Sequence, residues 1–220
     1  MRDSHTLAVV LAGCLTLSAS TGFASGLQDD VNQAATILKR FQSIPEKSIP
    51  PAVLKDAKGL AILTVLKGGF VVSGQGGKGL VIARTADGWS GPSAIGTGGI
   101  GVGFQIGGEV SELVIVLNTD EAVKAFSRGG NVSLGADVSV AAGPVGRTAA
   151  ARITPMAAVY TYSRSQGAFA GVSLEGMIVA ERSEANRDYY GRPVVPADIL
   201  SGKVMPPPGP RPLREVLAKY

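Results

Sequence analysis

Residues 57–117 read AKGLAILTVLKGGFVVSGQGGKGLVIARTADGWSGPSAIGTGGIGVGFQIGGEVSELVIVL, and the folding of this stretch decides the architecture. Within it Ile100, Val102, Phe104 and Ile106 alternate with Gly101, Gly103, Gln105 and Gly107. A period of two puts apolar side chains on one face of a strand and leaves the other face as nearly bare backbone. Glycine inside a strand forfeits packing and chain entropy, so it marks a bend, a bulge or the close approach of another group. The bare face is expected to receive a second sheet, a helix or a ligand, with tight sheet or barrel packing the ordinary use.

Working outward, strands are expected at Ala61–Leu66, Phe70–Ser73 and Leu80–Arg84, with Asp87-Gly88 as a turn. Leu113–Leu117 is a continuous apolar run, the pattern of a strand buried on both faces. Val132, Leu134, Ala136, Val138 and Val140 alternate with polar residues and glycine as a half-buried strand would. Further strands are expected at Ala157–Ser163, Ala168–Leu174 and Met177–Glu181. A helix is expected from Asp29 to Ser43, capped by Asp29 or Asp30, with Val31, Ala34, Ala35, Leu38 and Phe41 on one face. That stripe fits a helix docked on the domain or one that touches a membrane. Shorter helices are expected from Pro50-Pro51 to Gly59, from Asn118 or Thr119 to Arg128, from Ser183 to Tyr190, and over Leu213 to Tyr220. The fold class is α+β: a single domain, mainly an antiparallel glycine-rich sheet or barrel, with an N-terminal amphipathic helix and a few short flanking helices.

The chain has 220 residues, 17% of them charged, and a formal net charge of +4. Weak helix-favouring composition excludes a helical bundle, and the apolar content excludes a disordered chain. The mild basic excess permits an anionic partner, but no dense Lys/Arg patch marks a nucleic-acid binder. Residues 88–108 carry no charge, yet their glycines and Pro92 exclude a lipid-exposed helix.

The N-terminus has the form of an export signal, with Met1-Arg2 before an apolar core from Leu7 to Ala19. Cleavage before Ser25 would remove residues 1–24. Alternatively Leu11-Ala12-Gly13-Cys14 resembles a bacterial lipobox, whose processing removes residues 1–13 and acylates Cys14. The expected organisation is then a domain over residues 27–204 and a Pro-rich tail over residues 205–220, at the periplasm or cell envelope. His5 is the only histidine and Cys14 the only cysteine. Loss of the signal therefore removes Ser-His-Asp and Cys-His mechanisms and the usual zinc ligands. No cofactor and no metal site are expected.

Two strings match G-x-G-x-x-G, at Gly74–Gly79 and Gly96–Gly101. A dinucleotide loop must follow a strand and open a helix, and both strings lead into strand patterns instead. Lys67, Lys78 and Arg84 recur at expected strand edges, while Lys39, Arg40, Lys47, Lys55 and Lys58 crowd the N-terminal part. Such cations read as solvated surface or as the lining of an anionic headgroup site. Glu175 has no acid neighbour in sequence, and Pro207-x-x-Pro210 fits a minimal Src-homology-3 ligand or a simple spacer.

The blocks AKGLAILTVLKGGF, GGKGLVIAR, WSGPSAIG, GGEVSELVIVLN, AFSRGGNVSLGADVSVAAGPVGR and AAVYTYSRSQGAFAGVSLEG resemble, in order, the SYLF domain. The resemblance runs from about Val31 to Leu200. It implies binding of lipid, with phosphoinositides preferred by eukaryotic members through an N-terminal amphipathic helix and basic residues. It also implies actin regulation, often alongside an Src-homology-3 domain. Here no such domain is recognised, and the export signal sets actin and Src-homology-3 proteins aside unless the chain is cytosolic. The expected function is non-enzymatic binding of anionic phospholipid, with Leu38, Lys39, Arg40 and Phe41 as the first contact and Lys55, Lys58, Lys67, Lys78 and Arg84 in support. The alternatives are a carboxylate-based envelope hydrolase, which needs paired buried acids, or a structural envelope lipoprotein tethered through Cys14.

Overall fold

The computed structural model describes residues 26–43, 48–70, 72–102, 107–145, 157–167, 177–208 and 211–220. The expected export segment with His5 and Cys14, Lys47, the expected strand Ala168–Leu174 and Glu175 lie outside these residues.

Among the described residues the apolar, β-branched runs pair into one curled sheet of nine strands. These are β1 (Gly59–Phe70), β2 (Val72–Thr85), β3 (Gly88–Trp89), β4 (Ser93–Val102), β5 (Gly107–Leu117), β6 (Asn131–Ser133), β7 (Val140–Ala142), β8 (Val159–Gly167) and β9 (Ile178–Glu181). The order is β6-β9-β4-β2-β1-β5-β8-β7, with β3 on β2. Every pairing is antiparallel except that of β7 with β8.

The central strands are buried on both faces, so they read as unbroken apolar runs. Leu60, Ile62, Leu80, Ile82, Val114 and Val116 pack on one face, under α1 (Leu27–Gln42), α2 (Pro51–Asp56) and α6 (Pro212–Leu217). Leu63, Val65, Val81, Leu113, Ile115 and Leu117 pack on the other, against α3 (Asp120–Ser127) and α5 (Pro196–Leu200). Helix α4 (Ser183–Tyr190) is tied in by Asn186, which is fully buried and accepts from the Ala94 N–H at 2.7 Å.

Several expected elements are redrawn. Alternation over residues 100–107 is not one strand: Ile100 and Val102 end β4, whereas Gly107 opens β5, and residues 103–106 lie outside the description. Phe70–Ser73 is divided between β1 and β2. The alternation from Val132 to Val140 is broken between β6 and β7, because Gly135 takes a φ of +97° and the Asp137 carboxylate accepts from the Ser133 N–H at 2.7 Å. That positive φ suits glycine, and the local hydrogen bond competes with the ladder. Helix α2 stops at Asp56, and Gly59 opens β1 instead of capping the helix. Both G-x-G-x-x-G strings lie inside strands, so their amides serve ladders and form no phosphate loop.

The expected C-terminal tail over residues 205–220 contains α6, whose Leu213, Val216 and Leu217 are buried in the core. Its last residue is held too, since the Arg84 guanidinium donates to the Tyr220 carbonyl at 3.3 Å.

Candidate functional site

Helix α1 organises the site. Acids Asp29 and Asp30 lie in its first turn and bases Lys39 and Arg40 in its last, each sign complementing the helix dipole. Its stripe of Leu27, Val31, Ala34, Ala35, Leu38 and Phe41 is buried against the sheet. Full burial of a leucine-sized side chain contributes about 1.5–3 kcal/mol, so the stripe suffices to dock the helix.

Charged contacts fix where α1 crosses the strands. The backbone register places Lys78 of β2, Thr64 of β1, Glu112 of β5 and Arg164 of β8 in one rank across the sheet. Near its start, the buried Asp30 accepts from Arg182 at 2.6 Å and lies 3.9 Å from the Lys78 ammonium. Near its end, Arg40 forms an ion pair with the buried Glu112. Burial pushes the Asp30 carboxyl above the ordinary aspartate range, although the Arg182 hydrogen bond and the charges of Arg182 and Lys78 pull it down. Desolvation therefore outweighs pairing there, and the clamp sets position more than stability.

Two clefts flank this rank. One of about 360 Å³ runs under α1 and is lined by Asp29, Asp30, Gln33, Thr64 and Lys78. The Thr64 hydroxyl is buried with no hydrogen-bond partner among the described residues. The other, of about 540 Å³, opens between the end of α1 and β7–β8, and is lined by Arg40, Phe41, Gly143, Ser163, Arg164 and Ser165. Two guanidiniums face this second cleft, and the Arg40 side chain keeps 45% of its surface exposed despite its ion pair. Planar guanidiniums suit phosphate and carboxylate oxygens.

Among the described residues, buried acids are not paired across a cleft. Glu109 and Glu112 are both buried on β5, but a spacing of three puts them on opposite faces. Glu109 accepts from the Ser111 hydroxyl at 2.8 Å, and Lys67 stands opposite it on β1. Among the described residues no group of three His, Cys, Asp or Glu is placed to hold a metal ion.

A family model described as Ysc84, Las17-binding protein actin regulator, matches residues 98–220, more than half of the chain. The chain belongs to the Ysc84 (SYLF) family. It is 48% identical over 204 residues to SH3 domain-containing YSC84-like protein 1 of Homo sapiens, covering 89% of this chain and 60% of that protein. The same protein of Xenopus laevis is 48% identical over 205 residues, covering 89% and 61%. LAS seventeen-binding protein 3 of Saccharomyces cerevisiae is 48% identical over 201 residues, covering 87% of this chain and 44% of that protein. This chain thus spans between about two-fifths and three-fifths of those relatives' lengths.

Within this Ysc84-family domain the expected lipid-contacting residues do not form one patch. Leu38 and Phe41 are 1% and 6% exposed, so in this conformation they hold α1 on the sheet and offer no apolar surface. Arg84 is committed elsewhere: it donates to the carbonyls of Leu54 at 3.2 Å and Lys55 at 3.3 Å, and stacks 4.0 Å over the Trp89 ring. It satisfies the orphan carbonyls at the end of α2, and burial lowers its pKa. Lys67 and Lys78 lie on opposite faces, because Lys78 pairs with Thr64 while Lys67 falls three residues further along β1. Lys58 and Lys67 are nine residues apart along the strand, about 30 Å at strand rise. Lys39, Lys55 and Lys58 are exposed, and of the expected set only Arg40 and the buried Phe41 line the larger of the two clefts.

Arg164, Arg182 and Glu112 are not singled out by the sequence. Their importance comes from register and from the return of β9 and α4 to the start of α1, which residue spacing does not encode.

Proposed function

We propose that this Ysc84-family domain binds anionic phospholipid at a membrane surface without chemically altering it, through the cleft shared by Arg40 and Arg164. The observation that carries this reading is the convergence of two guanidiniums, from elements far apart in sequence, on one open cleft. The acid beneath, Glu112, already pairs with Arg40, which orients that guanidinium and leaves the cleft with a net cationic balance. The apolar, uncharged run from Leu7 to Ala19 supports an envelope membrane as the location, with Cys14 as a candidate tether. A second reading, an adaptor for actin-regulating proteins, is supported by the family's description and by the name of the yeast relative.

The test compares wild type, Arg164→Gln and Arg40→Gln/Arg164→Gln by flotation with vesicles of phosphatidylserine and phosphatidylcholine. A cation near an anionic surface contributes roughly 1 kcal/mol, so binding should fall about fivefold for the single variant and about 30-fold for the double. The single variant leaves the Arg40–Glu112 pair in place and controls for folding. Unchanged binding in folded variants would contradict the cleft as the site.

A further inference from the structure

Charge stops along a line across the sheet. No charged residue lies in 68–77, between Lys67 and Lys78, in 88–108, between Asp87 and Glu109, or in 165–174, between Arg164 and Glu175. Strand pairing brings together the described residues 68–70, 72–77, 96–102, 107–108 and 165–167 of these stretches. Phe70 pairs with Val72, Val72 with Val102, Gly69 with Gly107 and Glu109 with Gly167, so the ends of β1, β2, β4, β5 and β8 meet at one end of the sheet. Four of the charged residues that bound the stretches align there too, with Lys67 opposite Glu109 and Lys78 and Arg164 in the neighbouring rank with Thr64 and Glu112, whereas Asp87 lies in the turn between β2 and β3 at the other end of the sheet.

On the α1 side, the first rank beyond this line is Gly76, Leu66 and Val110. Leu66 is 46% and Val110 42% exposed, and they stand directly opposite each other. A side chain built at Gly98, in the same rank, or at Gly74, one rank beyond, would meet nothing within 4 Å. Helix α1 crosses at the rank of Lys78 and Glu112, so the helical cover ends where charge ends.

We propose that this uncharged end of the sheet, headed by Leu66 and Val110, is the surface that enters an anionic lipid interface. The proposal rests on the phospholipid reading above and names the part of the molecule that goes in. Three observations select lipid as the occupant. The end lacks any charge that a polar protein partner would pair with, while the adjoining collar sets Arg40, Arg164, Lys67 and Lys78 against Asp30, Glu109 and Glu112, a net cationic balance that suits anionic headgroups. From Lys67 to the last residue of β1 is three residues, about 10 Å, the depth to which interfacial elements sink. The inner strands β1, β2 and β5 are hydrogen-bonded on both sides here, so their backbone groups enter already satisfied.

The test uses the full chain with Cys14→Ser and a nitrobenzoxadiazole label on Leu66→Cys, with Lys203→Cys as an exposed reference position outside this end. Phosphatidylserine/phosphatidylcholine vesicles should blue-shift and brighten the label at 66, brominated lipid should quench it, and the label at 203 should not respond. In parallel, Leu66→Asp/Val110→Asp should bind the same vesicles more than about tenfold more weakly with an unchanged unfolding transition, since both positions are exposed. Vesicle binding with an unresponsive label at 66 would overturn this surface and leave the cleft reading standing. A label response that appears without vesicles and grows with protein concentration would assign the surface to a second copy and overturn the proposal. Failure of wild type to bind any anionic vesicle would overturn both readings.

Discussion

Gly79→Val is expected to destabilise the domain by about 3 kcal/mol or more, the upper part of the range for overpacking. Gly79 lies opposite Leu63 on β1 and Ile95 on β4, and a Cβ there would drive into the Ile62 backbone carbonyl. A side chain can swing aside, but a carbonyl in a ladder cannot move without breaking the pairing of β1. Gly77 is crowded likewise, with Val65 and Thr97 methyls each 2.8 Å from a built Cβ. These two glycines let the strands approach as the sheet curls. Gly74→Val, nearer the start of the same strand, is the contrast: space there is open, and gained β-propensity should leave stability equal or raise it by up to about 1 kcal/mol. Denaturant midpoints of the two variants decide the matter. Equal losses would mean that glycine is demanded everywhere along β2 and that the open end is not open.

Phe41→Ala is expected to cost about 3–5 kcal/mol, the usual range for a buried aromatic truncated to a cavity. Phe41 is 6% exposed and belongs to the cluster that joins α1 to β1, β5 and β8. If α1 instead stood away from the sheet as a membrane-facing helix, this truncation would leave the unfolding midpoint nearly unchanged and weaken vesicle binding alone. Chemical denaturation without lipid separates the two outcomes.

The class of fold was legible in the sequence because its signals are local. Continuous apolar runs such as Leu113–Leu117 demand two covered faces, and the stripe on α1 demands one. Boundaries failed where glycine made alternation ambiguous. Residues 100–107 keep a perfect period of two, yet the chain changes strands within them, because alternation says nothing about which neighbour a strand pairs with. The site was legible only in part. Arg40 was visible as a base at a helix end, where the dipole favours it. That Arg164 shares its cleft depends on β8 lying beside β5 in register, a tertiary fact. Leu38 and Phe41 carried the opposite lesson, since one apolar stripe serves a core or a membrane equally well and only packing tells which.

The central claim is that the intact domain recognises anionic lipid through charge. The direct measurement is equilibrium binding of wild type to phosphatidylserine/phosphatidylcholine vesicles and to phosphatidylcholine vesicles, at low and high salt. Recognition through charge requires binding to the anionic vesicles alone, weakening steeply as salt shortens the Debye length below about 10 Å. Equal binding to both vesicles, or binding indifferent to salt, would contradict it.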